Sequence, residues 1–162
     1  MKTLYLLRHG KSDWDADYQG DHERPLASRG VKAARRVGKF MAIIDAVPEL
    51  VLTSTAVRAR TTFEAAQSKG NWSCESRLVP DIYESNPQSI LYMLAESGET
   101  ADSVMLVGHE PTWSGTVRVL TGGRVRFPTA CVARIDLMIN SWAEIQPASG
   151  ELQWLLPPRL LK

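Results

Sequence analysis

Two arginines and two histidines in this chain follow apolar runs in a way that could gather them around one anion. Arg8 and His9 close the first run in LLRHGKSDW, Thr53 and Ser54 close ELVLT with Arg58 shortly beyond, and Gly108 and His109 close SVMLV. Guanidinium forks and imidazole nitrogens are suited to holding a phosphate-like group. A neutral imidazole also offers a lone pair for nucleophilic attack. Taken singly, each sign is weak: a histidine at a strand end is more often a surface or hydrogen-bonded residue, and Arg58 alone could be a helix-surface charge. Their joint placement at the ends of separate strands carries the weight.

That placement requires an alternation of strands and helices. Lys2 to Leu7 reads as a buried strand, and Ser28 as the cap of a helix turning Ala34, Val37, Gly38 and Met41 inward and Lys32, Arg35, Arg36 and Lys39 outward. The basic face is read first as a solvated surface and only second as an acidic docking surface. Glu49 to Thr53 predicts a second strand, and Ala56 to Ser68 a helix stopped by Gly70. Ser73 to Val79 is a candidate strand, and Asn86 with Pro87 marks a helix carrying Ile90, Leu91 and Leu94 inward. Ser103 to Val107 is the next strand, followed from Pro111 by a helix to about Leu120 that Gly122 and Gly123 close. Ala130 to Leu137, alternating with Cys131, Ala133, Ile135 and Leu137 on one face, and Glu151 to Leu156 add an antiparallel edge. In such an open sheet ligands bind outside the carboxyl ends of the parallel strands, where helices starting near Ala56 and Glu110 aim their positive ends.

Composition narrows the setting. A chain of 162 residues with 44% hydrophobic and 23% charged side chains is expected to fold as one domain, 1–162. With 19 Lys and Arg against 18 Asp and Glu, the formal charge of +1 argues against a general polyanion binder, so no nucleic-acid partner is expected. The N-terminal apolar run is too short for a signal peptide and no later run approaches a membrane span, which predicts a cytoplasmic protein with no membrane contact. Cys74 and Cys131 have no neighbours at zinc-ligand spacing and are read as small buried residues without a disulfide. Neither a dinucleotide fingerprint nor a P-loop follows the first strand, since Gly10 leads into Lys11, Ser12 and Asp13.

These residues resemble the histidine phosphatase superfamily, also called phosphoglycerate-mutase-like. LLRHGKS is similar to its Arg-His-Gly signature, STAVRARTT from Ser54 through Thr62 to its second arginine motif, and VGHEP to its second-histidine motif. DHERPLASRG, the segment LYML after IYESNP, and FPTA resemble the compact SixA-like branch, whose members are phosphohistidine phosphatases. The resemblance covers nearly the whole chain. It implies a three-layer α/β/α sandwich around a mostly parallel sheet with an antiparallel edge strand, and no lid domain. Thr55 stands where the family often has proline after the serine, while Arg58 and Thr62 keep their offsets from Ser54.

With that resemblance, His9 is expected to be the nucleophile, with Arg8, Arg58 and His109 stabilising charge on the transferring group and no metal or other cofactor. The Glu110 backbone N–H could join them, and Ser12 or Ser54 could add a hydroxyl or serve as ordinary turn or capping residues. For the proton donor the resemblance points to Glu84, with Asp21 and Asp13 as alternatives. The implied partner is a phosphorylated protein or a small phosphorylated substrate, and phosphohistidine is favoured because imidazole leaves more readily than an alkoxide. A phosphomonoesterase of small metabolites and a non-catalytic phosphate-binding module are the rival readings. A monomer is plausible, His22 is assigned a surface role, Trp142 a core position, and Trp72 either core or rim. Trp14, following the nucleophile loop, is the candidate rim residue.

Overall fold

A computed structural model describes residues Met1–Lys162. Four parallel strands, β1 (Lys2–Arg8), β2 (Leu50–Thr53), β3 (Glu75–Leu78) and β4 (Ser103–Gly108), alternate with helices α1 (Ser28–Ile43), α2 (Val57–Gly70), α3 (Pro87–Glu96) and α4 (Thr112–Thr121). β5 (Val132–Leu137) runs antiparallel to β1, and β6 (Gly150–Leu156) antiparallel to β5, giving the order β3-β2-β4-β1-β5-β6. The antiparallel edge thus has two strands.

The pleat sorts the apolar residues into two cores. Leu4 and Leu6 of β1 face one side with Leu50, Leu52, Val104 and Leu106, where α3 and α4 bring Ile90, Leu94, Trp113, Val117 and Leu120. Tyr5 and Leu7 face the other side with Val51, Met105 and Val107, where α1 and α2 bring Val37, Met41, Phe63 and Ala66. This is the expected three-layer sandwich. Cys131, Ala133, Ile135 and Leu137 share one face as their alternation predicts. β3 is shorter than expected and exposed along its length; Arg77, paired with Glu75 and Glu99, places charge on this open edge.

Several local expectations are corrected. The residue capping α1 is Ala27, and Ser28 is the first helical residue with no side-chain cap bond. Gly70 stays within α2, whose end is made by Asn71 in the left-handed conformation at φ 52°. A longer side chain at 70 would strike Trp72 and the Gly38 carbonyl, which explains the glycine without a turn. Cys74 is half-buried, whereas Cys131 is buried; both thiols are free. Trp72 is buried, donating to the Gly38 carbonyl at 3.0 Å, and Trp142 lies in the core. Asn86 caps α3 as predicted, reciprocated by Ser89. No helix is long and apolar enough to cross a membrane.

Candidate active site

The carboxyl ends of β1, β2 and β4 lie side by side. Arg8 is in register with Gly108, and Thr53 with Val107. Beyond the strands the pairing continues, the His9 N–H donating to the Gly108 carbonyl at 3.0 Å and the Ser54 N–H to the Val107 carbonyl at 2.9 Å. Trp113, fully buried on α4, donates its indole N–H to the Leu7 carbonyl at 2.9 Å and so holds the end of β1. Burying a side chain of this size contributes roughly 3 kcal/mol. The site therefore stands on rigid backbone.

Arg8, His9, Ser12, Arg58, His109 and Glu110 all line one cavity of about 200 Å³. His9 is 7% exposed, and its Nδ1 lies 2.7 Å from the Gly10 carbonyl oxygen. A carbonyl can only accept, so Nδ1 carries the proton and Nε2 keeps its lone pair. Burial, which outweighs the opposing Gly10 bond, together with the charges of Arg58, Arg8 and Arg24, pulls the His9 pKa down to about 4. The ring is neutral and nucleophilic over the ordinary pH range. Gly10 is itself held by the Thr62 hydroxyl, which accepts the Gly10 N–H at 2.9 Å and donates to the Arg58 carbonyl at 2.6 Å. The loop lies so close to α1 that a Cβ on Gly10 would come within 2.7 Å of the Gly30 carbonyl oxygen.

His109 lies beside His9, their ring centroids 5.3 Å apart. Its Nε2 is 2.8 Å from the Ser54 hydroxyl, which accepts the Ala56 N–H at 3.2 Å and still has its own proton to give. When Ser54 donates, the proton of the neutral imidazole sits on Nδ1. Burial and the Arg58 charge lower this pKa to about 3. Arg8 donates from one terminal nitrogen to the Phe127 carbonyl at 2.9 Å. His109 Nδ1, Arg8 Nε, Arg58 Nε and Ser12 Oγ are buried polar atoms with no partner in the protein. Such atoms are costly unless a bound group satisfies them, and all four can donate a hydrogen bond. The Glu110 N–H has no backbone acceptor either.

The carboxylates are arranged differently from expectation. Asp21 does not face the site as a free acid. It binds Arg58 at 3.0 Å and Arg24 at 2.9 Å and accepts the Tyr83 hydroxyl at 2.8 Å. These donors outweigh the desolvation that would raise it and hold its pKa at about 2, so it is an anionic clamp. Glu84 is exposed and lines a neighbouring groove with Asp81 and Asn86, outside the His9 cavity. Asp13 accepts the Asp15 N–H in a local turn. The Glu110 carboxylate is taken by the backbone N–H and hydroxyl of Ser114.

Arg24 is a site residue that sequence reasoning missed. It is 6% exposed, lines the cavity, and stacks with its guanidinium carbon 3.7 Å from the Trp14 ring centroid, which explains why the exposed Trp14 stays at the rim. Tyr83 was missed as well; it packs edge-on against both His109 and His22. The signal available for Arg24 was its place in DHERPLASRG, which carries no periodicity. His22 is half-exposed at the same rim, 2.8 Å from the Thr55 hydroxyl, so the residue replacing proline has a partner of its own.

Residues 4–90 match the model of the histidine phosphatase superfamily (branch 1). An uncharacterized protein of Mycobacterium tuberculosis is 30% identical over 94% of this chain and 100% of its own length. A candidate phosphohistidine phosphatase, SixA, from Agrobacterium tumefaciens is 30% identical and superposes with a TM-score of 0.81 over 96% of this chain and 97% of that one. The protein histidine phosphatase SixA complexed with tungstate, 23% identical, shares the fold with a TM-score of 0.83 over 98% of both chains.

Proposed function

The chain belongs to the histidine phosphatase superfamily and is a phosphatase, and we propose that it hydrolyses phosphohistidine in proteins through a phosphorylated His9, with no metal ion. The observation that carries this reading is the bond from His9 Nδ1–H to the Gly10 carbonyl, which leaves Nε2 with a lone pair inside a cavity of arginines.

In the first step Nε2 attacks phosphorus, a P–Nε2 bond forms, and the bond to the substrate's imidazole breaks with its electron pair going to that nitrogen; with a proton on the ring's other nitrogen, it departs as neutral imidazole. In the second, water attacks phosphorus, one of its protons passes to a phosphoryl oxygen, the P–Nε2 bond breaks with its pair returning to Nε2, and inorganic phosphate departs. Charge on the transferring oxygens is met by the forks of Arg8 and Arg58, by the Nδ1–H of His109, and by the Glu110 N–H. Ser12 adds a hydroxyl and Arg24 further positive charge. Glu84, assigned as acid by resemblance, lies outside the cavity, and Asp21 is held ionised by its cations. A site without a poised carboxylic acid is matched to a leaving group that departs readily, which supports phosphohistidine over an alkyl phosphate. The similarity to the Agrobacterium protein points the same way.

Turnover of a phosphohistidine peptide, phosphoramidate and sugar phosphates tests this. The two phosphoramidates are expected to exceed every sugar phosphate in kcat/KM by about tenfold or more; faster turnover of the sugars would make the protein a phosphomonoesterase instead. The pH dependence follows from His9. Protonation removes the Nε2 pair, so kcat/KM, corrected for substrate ionisation, should hold as pH falls through 6.5 and decline only near the pKa of about 4. An acid limb centred on 6.5 would contradict the buried, neutral nucleophile.

A further inference from the structure

Helix α1 carries Arg29, Lys32, Arg35, Arg36 and Lys39 and not one carboxylate, while the whole chain stands at +1. The rest of the molecule is therefore net acidic, and positive charge is concentrated on this helix. None of these five side chains, nor Lys11 or Arg159, lies within 4.0 Å of a carboxylate oxygen, whereas Arg60, Arg77 and Arg134 elsewhere on the molecule are ion-paired. Solvation alone accounts for Lys32 and Lys39. Arg29 and Arg36 differ, because with Lys11, Thr129 and Arg159 they wall a second cavity of about 280 Å³. Lys11 and Thr129 are walls of the His9 cavity too, so the two cavities adjoin.

The direction of this groove follows from the fold. The N-terminal end of α1 is fastened to the nucleophile loop, the Ala27 N–H donating to the Lys11 carbonyl at 2.9 Å. Arg29 is thus near the mouth of the site, and Arg36, two turns on, lies ~10.5 Å farther along the axis. Ala33 between them is the small residue that leaves the floor open. An extended peptide advances ~3.3 Å per residue, so carboxylates about three residues apart would match both arginines. A second phosphate on a small metabolite could meet one of them but not span the pair.

We propose that this groove receives acidic side chains flanking the phosphorylated residue of a protein substrate, Arg29, Arg36 and Arg159 pairing with Asp or Glu carboxylates while the phosphoryl group occupies the His9 cavity. The inference rests on the protein-substrate reading above, though not on the identity of the phosphorylated residue. Charge complementarity of this kind acts on encounter and KM more than on the chemical step.

Phosphohistidine peptides with Glu-Glu-Asp flanks and with Gln-Gln-Asn flanks, together with phosphoramidate, decide it. Wild type is expected to favour the acidic peptide by about tenfold in kcat/KM, through KM, and to lose the preference at about 0.5 M salt. R29E/R36E should abolish or reverse the preference while phosphoramidate turnover stays within about twofold; R29Q/R36Q should give an intermediate loss and decides the question if the double reversal impairs folding. Equal turnover of the two peptides by wild type overturns the proposal. So does a loss confined to small bisphosphates, which would make the groove a second phosphate subsite. If no phosphohistidine substrate is turned over, the same flanks on phosphoserine peptides separate failure of the leaving-group assignment from failure of the groove.

Discussion

Replacing His9 by alanine is expected to lower kcat by a factor on the order of 10⁴ or more, the scale seen when a covalent nucleophile is removed. The reason lies in one hydrogen bond. With Nδ1–H given to the Gly10 carbonyl, Nε2 is the only unprotonated ring nitrogen at position 9. Alanine removes the phosphate acceptor but leaves Arg8, Arg58 and His109 on their own backbones, so binding should survive. Brief mixing with a reactive phosphate donor, followed by acid and base treatment, is the measurement. An acid-labile adduct on wild type and none on His9→Ala is expected, with tungstate or phosphate affinity changed only modestly. Equal labelling of both proteins would rule out His9 as the acceptor, and tight phosphate binding by a wild type that turns over no substrate would make the protein a binding module.

Arg58→Ala should rank next, lowering kcat/KM by roughly 10²–10³ as expected for loss of a donor to the transferring oxygens. Arg58 is 5% exposed, gives one terminal nitrogen to the Asp21 carbonyl at 2.8 Å and the other to the Asp21 carboxylate at 3.0 Å, and has Nε unpartnered. The planar fork can hold Asp21 and still present Nε, which the point charge of lysine cannot do. Arg58→Lys is therefore expected to recover little, remaining at least about tenfold below wild type. Steady-state rates and the inhibition constant for phosphate measure this together. Full activity in Arg58→Lys would mean that charge alone is required and that the fork geometry is irrelevant.

The strands, helices and convergence of Arg8, His9, Arg58 and His109 were legible because each depends on a short-range pattern. A buried parallel strand is a run of apolar residues, a helix start is announced by Asn86-Pro87, and ligand groups after such strands meet when the strands are neighbours. The proton-donor assignment was not legible in the same way. Asp13 and Asp21 both lie in the irregular stretch ahead of α1, where spacing favours neither, and only the contacts of Asp21 with Arg24, Arg58 and Tyr83 reveal a clamped anion. Arg24 was hidden for a related reason: it lies in a segment without periodicity, and its burial depends on Trp14 and Asp21 folding around it.

The basic face of α1 shows the same division. Its charges and their spacing are written in SRGVKAARRVGK, and by themselves they describe a solvated surface. That Arg29 and Arg36 share a groove with Lys11 and Arg159, adjoining the His9 cavity, depends on a C-terminal segment more than a hundred residues away returning to α1.

By itself, then, the sequence determined the family, the layer order and the four side chains that meet at the strand ends, because hydrophobic periodicity and motif order are local properties of the chain. Tertiary structure alone decided which nitrogen of His9 is free, that Asp21 is a clamp, and where Glu84 lies. Tautomers, ion pairs and pKa values are set by neighbours that come from distant parts of the chain, and by the loss of water around them.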